Sequence, residues 1–268
     1  MKRDSAIRIA VLLPDLLGTY GDHGNALVLA QRLRKRGCYT EIVEVPSDAP
    51  VPGGCDIYLL GGGEDIAQTE AVRLLERSAF GGAVDRGAVV FGVCAGLQIL
   101  GHGTVHADGT HSAGLGMLDV TTYPRTQRAI GEVVADACLE PALADPVLSG
   151  FENHRGHTVL GSSATPLAHV KIGVGNGNGT EGAVAGRLIA TYLHGPVLAR
   201  NPCLADHVLA LATGSPQAAL ALQDLPALRR ERLAAAAHRR SLVRRVSTAL
   251  TPQRWLTPGV PGPSSDRW

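Results

Sequence analysis

Apolar residues in the first hundred positions fall into two alternating patterns. Short runs rich in aliphatic and β-branched residues occupy 6–13 (A-I-R-I-A-V-L-L), 40–45, 56–60 and 88–93. Runs this short, rich in β-branched residues and punctuated by Pro or Gly, predict buried strands. Between them apolar residues recur at helical spacing. Leu27, Val28, Ala30 and Leu33 mark a helix over 25–36. Arg34, Lys35 and Arg36 close it ahead of Gly37, with cations at the negative end of the helix dipole. Further helices are expected over 69–78 and from Leu97 onward. Strands alternating with helices predict an α/β fold with a doubly wound, mostly parallel sheet.

The pattern changes after Gly114. Short strands are expected at 118–123, 131–135, 158–160, 182–185 and 188–192, as hairpins and antiparallel additions to the parallel core. The run 173–179 (G-V-G-N-G-N-G) resembles a phosphate loop only in its glycines. No helix follows it and no Gly-Lys-Ser/Thr ends it, so it reads as a plain turn. Helical spacing returns at 201–213 and, with many Arg and Ala, at 225–250. The basic face of this last helix reads as solvated surface, with a partner surface as the alternative. Three prolines make 257–268 a loose tail.

Composition narrows the function. Of 268 residues, 45% are hydrophobic and 18% charged, which suits a buried core. A net charge of +1 and only 4% aromatics argue against a nucleic-acid partner. Cys38, Cys55, Cys94, Cys138 and Cys203 are scattered without a C-x-x-C pair. Neither a disulfide framework nor a metal site is expected, and a reducing, cytoplasmic compartment fits. The apolar stretch around 88–100 is too short to span a bilayer, and the N-terminus shows no cleavage pattern.

The densest chemical signal is Phe91-Gly92-Val93-Cys94-Ala95-Gly96-Leu97-Gln98, where a buried strand meets a helix. This is a nucleophile elbow written G-x-C-x-G. Gly92 and Gly96 allow the sharp turn. Cys94 then projects above the sheet, where helix N-terminal amides favour a thiolate. The Ala95 amide faces a developing oxyanion. Leu59-Leu60-Gly61-Gly62-Gly63-Glu64-Asp65 ends another strand, and Gly62 or Gly63 is expected to supply a second donor worth about 2.7–4 kcal/mol. A base must be found among ten histidines. His102, His106 and His111 lie in a Gly-rich polar stretch, and His207 and His238 on helix surfaces. His194 ends the apolar run Leu188-Ile189-Ala190-Thr191-Tyr192-Leu193, at a strand terminus on the same sheet edge as Cys94. His154 and His157 are its rivals.

These motifs, with Tyr192-Leu193-His194-Gly195-Pro196, resemble the cobyric acid synthase-like branch of class I glutamine amidotransferases. Tyr20-Gly21-Asp22-His23-Gly24-Asn25 and Gly150-Phe151-Glu152-Asn153-His154 resemble more narrowly the GatD family, the glutaminase subunits of lipid II isoglutaminyl synthase. The resemblance covers about 7–208. It implies an amidotransferase domain over 1–214, with a helical extension and tail over 215–268. It further implies that Cys94 is the nucleophile, His194 the catalytic histidine and Arg128 the residue that holds glutamine. A guanidinium fork suits an α-carboxylate, although Arg125 and Arg155 remain alternatives.

In that family, ammonia passes to a Mur-ligase-like subunit (MurT) in a heterodimer. That partner holds ATP and Mg and amidates the D-glutamate α-carboxyl of the lipid II stem peptide; no cofactor is expected in this chain. Many class I enzymes carry an acid two residues after the histidine, where Pro196 stands here. The sequence reading is that the partner supplies the missing carboxylate, with Glu64 or Asp22 as internal substitutes. Two other functions compete: a glutaminase for a cobalamin-type precursor, disfavoured by the lack of a Walker A motif, and a non-catalytic binding module.

Overall fold

The computed structural model describes residues 6–18, 21–220, 222 and 224–249, the last twelve as backbone alone. Tyr20 of the first loop motif, the side chain of His238, Leu250 and the tail at 257–268 lie outside the described residues.

The aliphatic runs form β1 (Ile7–Leu12), β2 (Thr40–Val45), β3 (Ile57–Leu60) and β4 (Val89–Val93). Helices α1 (Gly24–Lys35), α2 (Asp65–Glu76), α3 (Phe80–Asp85) and α4 (Ala95–Leu100) connect or follow them. Helix α2 starts four residues before the expected Thr69, because Glu64 takes the extended N-cap conformation. Helix α3 was hidden by Gly81 and Gly82; its Phe80 is fully buried, edge-on to Tyr58 at 5.4 Å.

The second half supplies β5 (Gly103–Val105), β6 (His111–Ala113), β7 (Val120–Ala137), β8 (Val147–Leu160), β9 (Ala168–Ile172), β10 (Thr180–Glu181), β11 (Ala183–Ala185) and β12 (Leu188–Thr191). The chain continues through α5 (Val197–Arg200), α6 (Pro202–Thr213) and α7 (Leu225–Ala249).

One sheet has the order β11-β12-β4-β3-β1-β2, parallel except for β11. Every residue of β3, β4 and β12 is buried, as a sheet covered on both faces requires. Helices α1, α5 and α6 pack together, as do α2, α3 and α4. The doubly wound, mostly parallel α/β class therefore holds. What differs is the destination of the short strands. Of these, β12 joins the parallel core and β11 adds to its edge antiparallel; β5 to β10 build a second, mixed sheet around the long β7–β8 pair. The sequence split β7 in two because Pro124 and the polar run after it interrupt the alternation of buried and exposed residues.

The two sheets meet at the site. Residue Phe151 of β8 exchanges both backbone hydrogen bonds with His194, at 3.1 and 2.8 Å. The carboxyl ends of β1, β3, β4 and β12 thereby converge with β8 along one edge, where open α/β sheets bind ligands.

Candidate active site

Cys94 sits where β4 gives way to α4, with φ 54° and ψ −99°. A left-handed backbone at a non-glycine residue costs roughly 1–3 kcal/mol and persists only where its surroundings enforce it. They do so here. The Cys94 N–H donates to the Thr191 carbonyl of β12 at 2.8 Å, and its own carbonyl accepts from Leu97 and Gln98. A Cβ on Gly92 would come within 2.9 Å of the Gly96 carbonyl carbon; one on Gly96 would come within 2.7 Å of the Leu60 oxygen. Both glycines of the elbow are therefore demanded by close backbone approach. Burial pushes the thiols of Cys55 and Cys138 up, away from reactivity.

His194 leaves the end of β12 on the same sheet edge, as its position in the sequence implied. The ring is buried, and Cys94 is close enough to raise its basicity. Its Nδ1 lies 3.1 Å from Asp22 Oδ2 and 3.3 Å from Oδ1. Burial disfavours the imidazolium, but hydrogen bonds to Asp22 and Cys94 and their charges outweigh it, raising the pKa to about 9. The expectation of a carboxylate supplied by a partner is thus corrected. Pro196 offers no acceptor, yet Asp22 of this chain, from the loop after β1, fills that position.

Asp22 also accepts from the Gly62 N–H at 3.0 Å. This corrects a second expectation, because an amide committed to Asp22 is not aimed at an oxyanion. The triple glycine serves a different purpose as well. A Cβ on Gly61 would lie 2.1 Å from the Leu17 oxygen, and one on Gly63 would lie 2.9 Å from a Leu17 methyl carbon. Glycines here let the loops after β1 and β3 nest, which brings Asp22 to His194. Gly63 still lines the cleft, and Ala95 at the first turn of α4 has an N–H that no helical carbonyl can satisfy.

Cys94 opens into a cleft of about 360 Å³ lined by Gly63, Glu64, Gln98, Arg125, Arg128 and Arg155 among others. All three arginine candidates face it. Arg128 is exposed, and its Nε donates to Asn153 Oδ1 at 2.5 Å.

Of the rival histidines, His154 is otherwise engaged. His154 stacks flat on Tyr192, with ring centroids 3.7 Å apart, and its nitrogens approach the Gly156 carbonyl and Glu152. His157 lies against Gly177.

Three buried groups behind the site have roles that the sequence motifs did not reveal. Tyr192 bonds to Thr158 and Gln98, and burial pushes its hydroxyl pKa up to about 12. Glu181 accepts from Thr191 Oγ1 and the Tyr192 N–H; burial raises its carboxyl to about 7 against those bonds, with the nearby Glu152 adding to the rise. Glu152 accepts from the N–H groups of Val174 and Gly175, both at 2.8 Å. The glycine-rich run is thus a turn, as expected, but its amides cradle a carboxylate of the protein itself. Its proximity to these strands was the missing signal.

Comparison with known proteins agrees with this geometry. The CobB/CobQ-like glutamine amidotransferase domain matches residues 8–202. The chain belongs to that family. Among its relatives is subunit GatD of the glutamine-hydrolysing lipid II isoglutaminyl synthase from Staphylococcus aureus. It is 34% identical, over 74% of this chain and 80% of that one. GatD of Streptococcus pneumoniae is 32% identical, over 77% and 80%. The cobyric acid synthase of Sphingopyxis alaskensis is 34% identical over 63% of this chain but only 34% of its own. A solved glutamine amidotransferase shares the fold, with a TM-score of 0.52 and 21% identity over 76% of this chain and 98% of that one.

Proposed function

We propose that this chain hydrolyses glutamine at Cys94 and delivers the ammonia to a Mur-ligase-like subunit, which amidates the D-glutamate α-carboxyl of the lipid II stem peptide. The observation that carries the hydrolytic part is Cys94, held at the elbow near a His194 ring that Asp22 orients. The acceptor follows the GatD relatives, which this chain matches over 80% of their length, against 34% for the cobyric acid synthase.

The chemistry runs in two halves. The Cys94 thiolate adds to the side-chain amide carbon of glutamine, and the oxyanion is met by the amides of Ala95 and Gly63. The C–N bond breaks as His194 gives its proton to the departing nitrogen, leaving ammonia and a thioester. Water then loses a proton to His194 and attacks the thioester, expelling the thiolate and leaving glutamate. Asp22 keeps the ring in one orientation and stabilises its charged form throughout. Arg128 holds the substrate α-carboxylate. ATP and Mg belong to the partner.

The test begins with ammonia release from glutamine by this chain, alone and with the ligase subunit. Cys94→Ala abolishes it while the protein stays folded, and a glutamine-analogue electrophile labels Cys94. Labelling at Cys38 or Cys203, or full activity in the folded variant, rejects the mechanism. An inactive but glutamine-binding chain would be a binding module. With the ligase subunit, ATP and lipid II, mass spectrometry detects the stem carboxamide; its absence rejects the acceptor.

A further inference from the structure

The β7–β8 ladder breaks beside Cys94. Pro124 pairs with Gly156 and Ala129 with His154, so β7 advances five residues while β8 advances two. The surplus forms a bulge over 125–128, the kind of irregularity that re-aims side chains next to a site. Arg125 and Arg128 stand at its two ends, and both line the cleft that contains Cys94.

The two guanidinium groups are held differently. Arg128 is oriented by Asn153 through its Nε. The Nε of Arg125 is buried and has no hydrogen-bond partner. A buried N–H left unpaired is costly, and such a group in a cleft calls for a ligand. A guanidinium edge matches a carboxylate, to which it donates two parallel bonds. Room for Arg125 comes from the glycine-rich turn. Gly177 has φ +94°, and a Cβ there would lie 2.7 Å from Arg125 Nη1 and 2.5 Å from His157 Nδ1.

We propose that the 125–128 bulge is a two-arginine clamp for the substrate α-carboxylate, in which Arg125 is a specificity-determining residue beside Arg128 and Gly177 keeps its place open. The clamp rests on the reading that glutamine occupies the Cys94 cleft. It makes the site selective for a free amino acid over a glutamine whose α-carboxyl is amidated or in a peptide bond.

The experiment is calorimetric binding of L-glutamine and of its α-amide to the full chain with its ligase subunit, in the Cys94→Ala background. Turnover is then not needed for a result. Adding Arg125→Ala lowers the preference for glutamine over the α-amide about tenfold or more, the scale of one lost charge-assisted pair. Gly177→Ala, which displaces Arg125 without removing it, lowers the same ratio. General damage to the fold weakens both ligands alike and leaves the ratio unchanged. An unchanged ratio in Arg125→Ala overturns the clamp, as does a failure of glutamine to bind at all. Ammonia release by the wild-type complex is measured separately, so loss of the clamp and loss of the hydrolytic reading are distinguishable.

Discussion

Asp22 and His194 are 172 residues apart in the chain, yet Asp22 Oδ2 stands 3.1 Å from His194 Nδ1. Neither residue depends on its sequence neighbours for this pairing. The loops after β1 and β3 nest through Gly61 and Gly63, the Gly62 amide fixes the carboxylate, and Phe151 fixes the backbone of His194.

Asp22→Asn lowers kcat by about 10²–10⁴-fold with little change in KM. The upper figure is the loss seen when a serine protease loses its orienting carboxylate, and a cysteine nucleophile depends on that group less. Steady-state kinetics on a variant with an unchanged melting temperature is the check. Wild-type turnover would leave Asp22 a packing role alone.

The same pair sets a pH dependence. The His194 pKa of about 9 stands above its ordinary 6.5, so the ring is an imidazolium at neutral pH and can protonate the leaving ammonia. kcat declines as pH rises through about 9. The stability this ring contributes is fully present below about 6.5 and is lost as pH rises through the folded value. NMR titration of His194 reads the pKa directly, and Asp22→Asn moves it down; a wild-type midpoint near 6.5 contradicts the assignment.

Glu181 gives a second pH signature with a different window. Its carboxyl titrates near 7 in the folded chain against a reference of 4.5, so the folded state favours the protonated acid. Stability attributable to this group is complete below about 4.5 and is lost as pH rises through about 7. Glu181→Gln keeps the accepting oxygen and removes the charge. Its melting temperature therefore gains on wild type as pH is raised across that window. Parallel curves for the two proteins would place Glu181 in a better-solvated setting.

Gly96→Ala destabilises the chain by about 1–3 kcal/mol, the usual cost of overpacking, because the new methyl meets the Leu60 carbonyl and cannot swing away. Electrophile labelling of Cys94 falls with it, since the elbow must open to admit the methyl. Thermal denaturation and labelling rates at a temperature where both proteins are folded measure the two effects. Wild-type values for both would mean that the elbow yields freely.

Local chemistry was enough for much of this protein. The aliphatic runs of β1 to β4, the helical spacing of α1 and the G-x-C-x-G elbow express short-range physics: side-chain periodicity and the steric limits of one turn. They were enough for the α/β class, for the elbow at Cys94 and, through the apolar run before it, for the strand-end position of His194. Three decisions were left to the tertiary structure. Strands β5 to β10 separated into their own sheet, because strand pairing is set by partners far away in the chain. The bulge that aims Arg125 and Arg128 exists only as a mismatch between β7 and β8, so neither strand displays it alone. Asp22 became the partner of His194 because two glycine-lined loops nest closely enough for a carboxylate to accept from both Gly62 and the imidazole. A sequence lists possible donors and acceptors; which of them pair is decided by packing, because hydrogen bonds act over about 3 Å and chain separation says nothing about that distance.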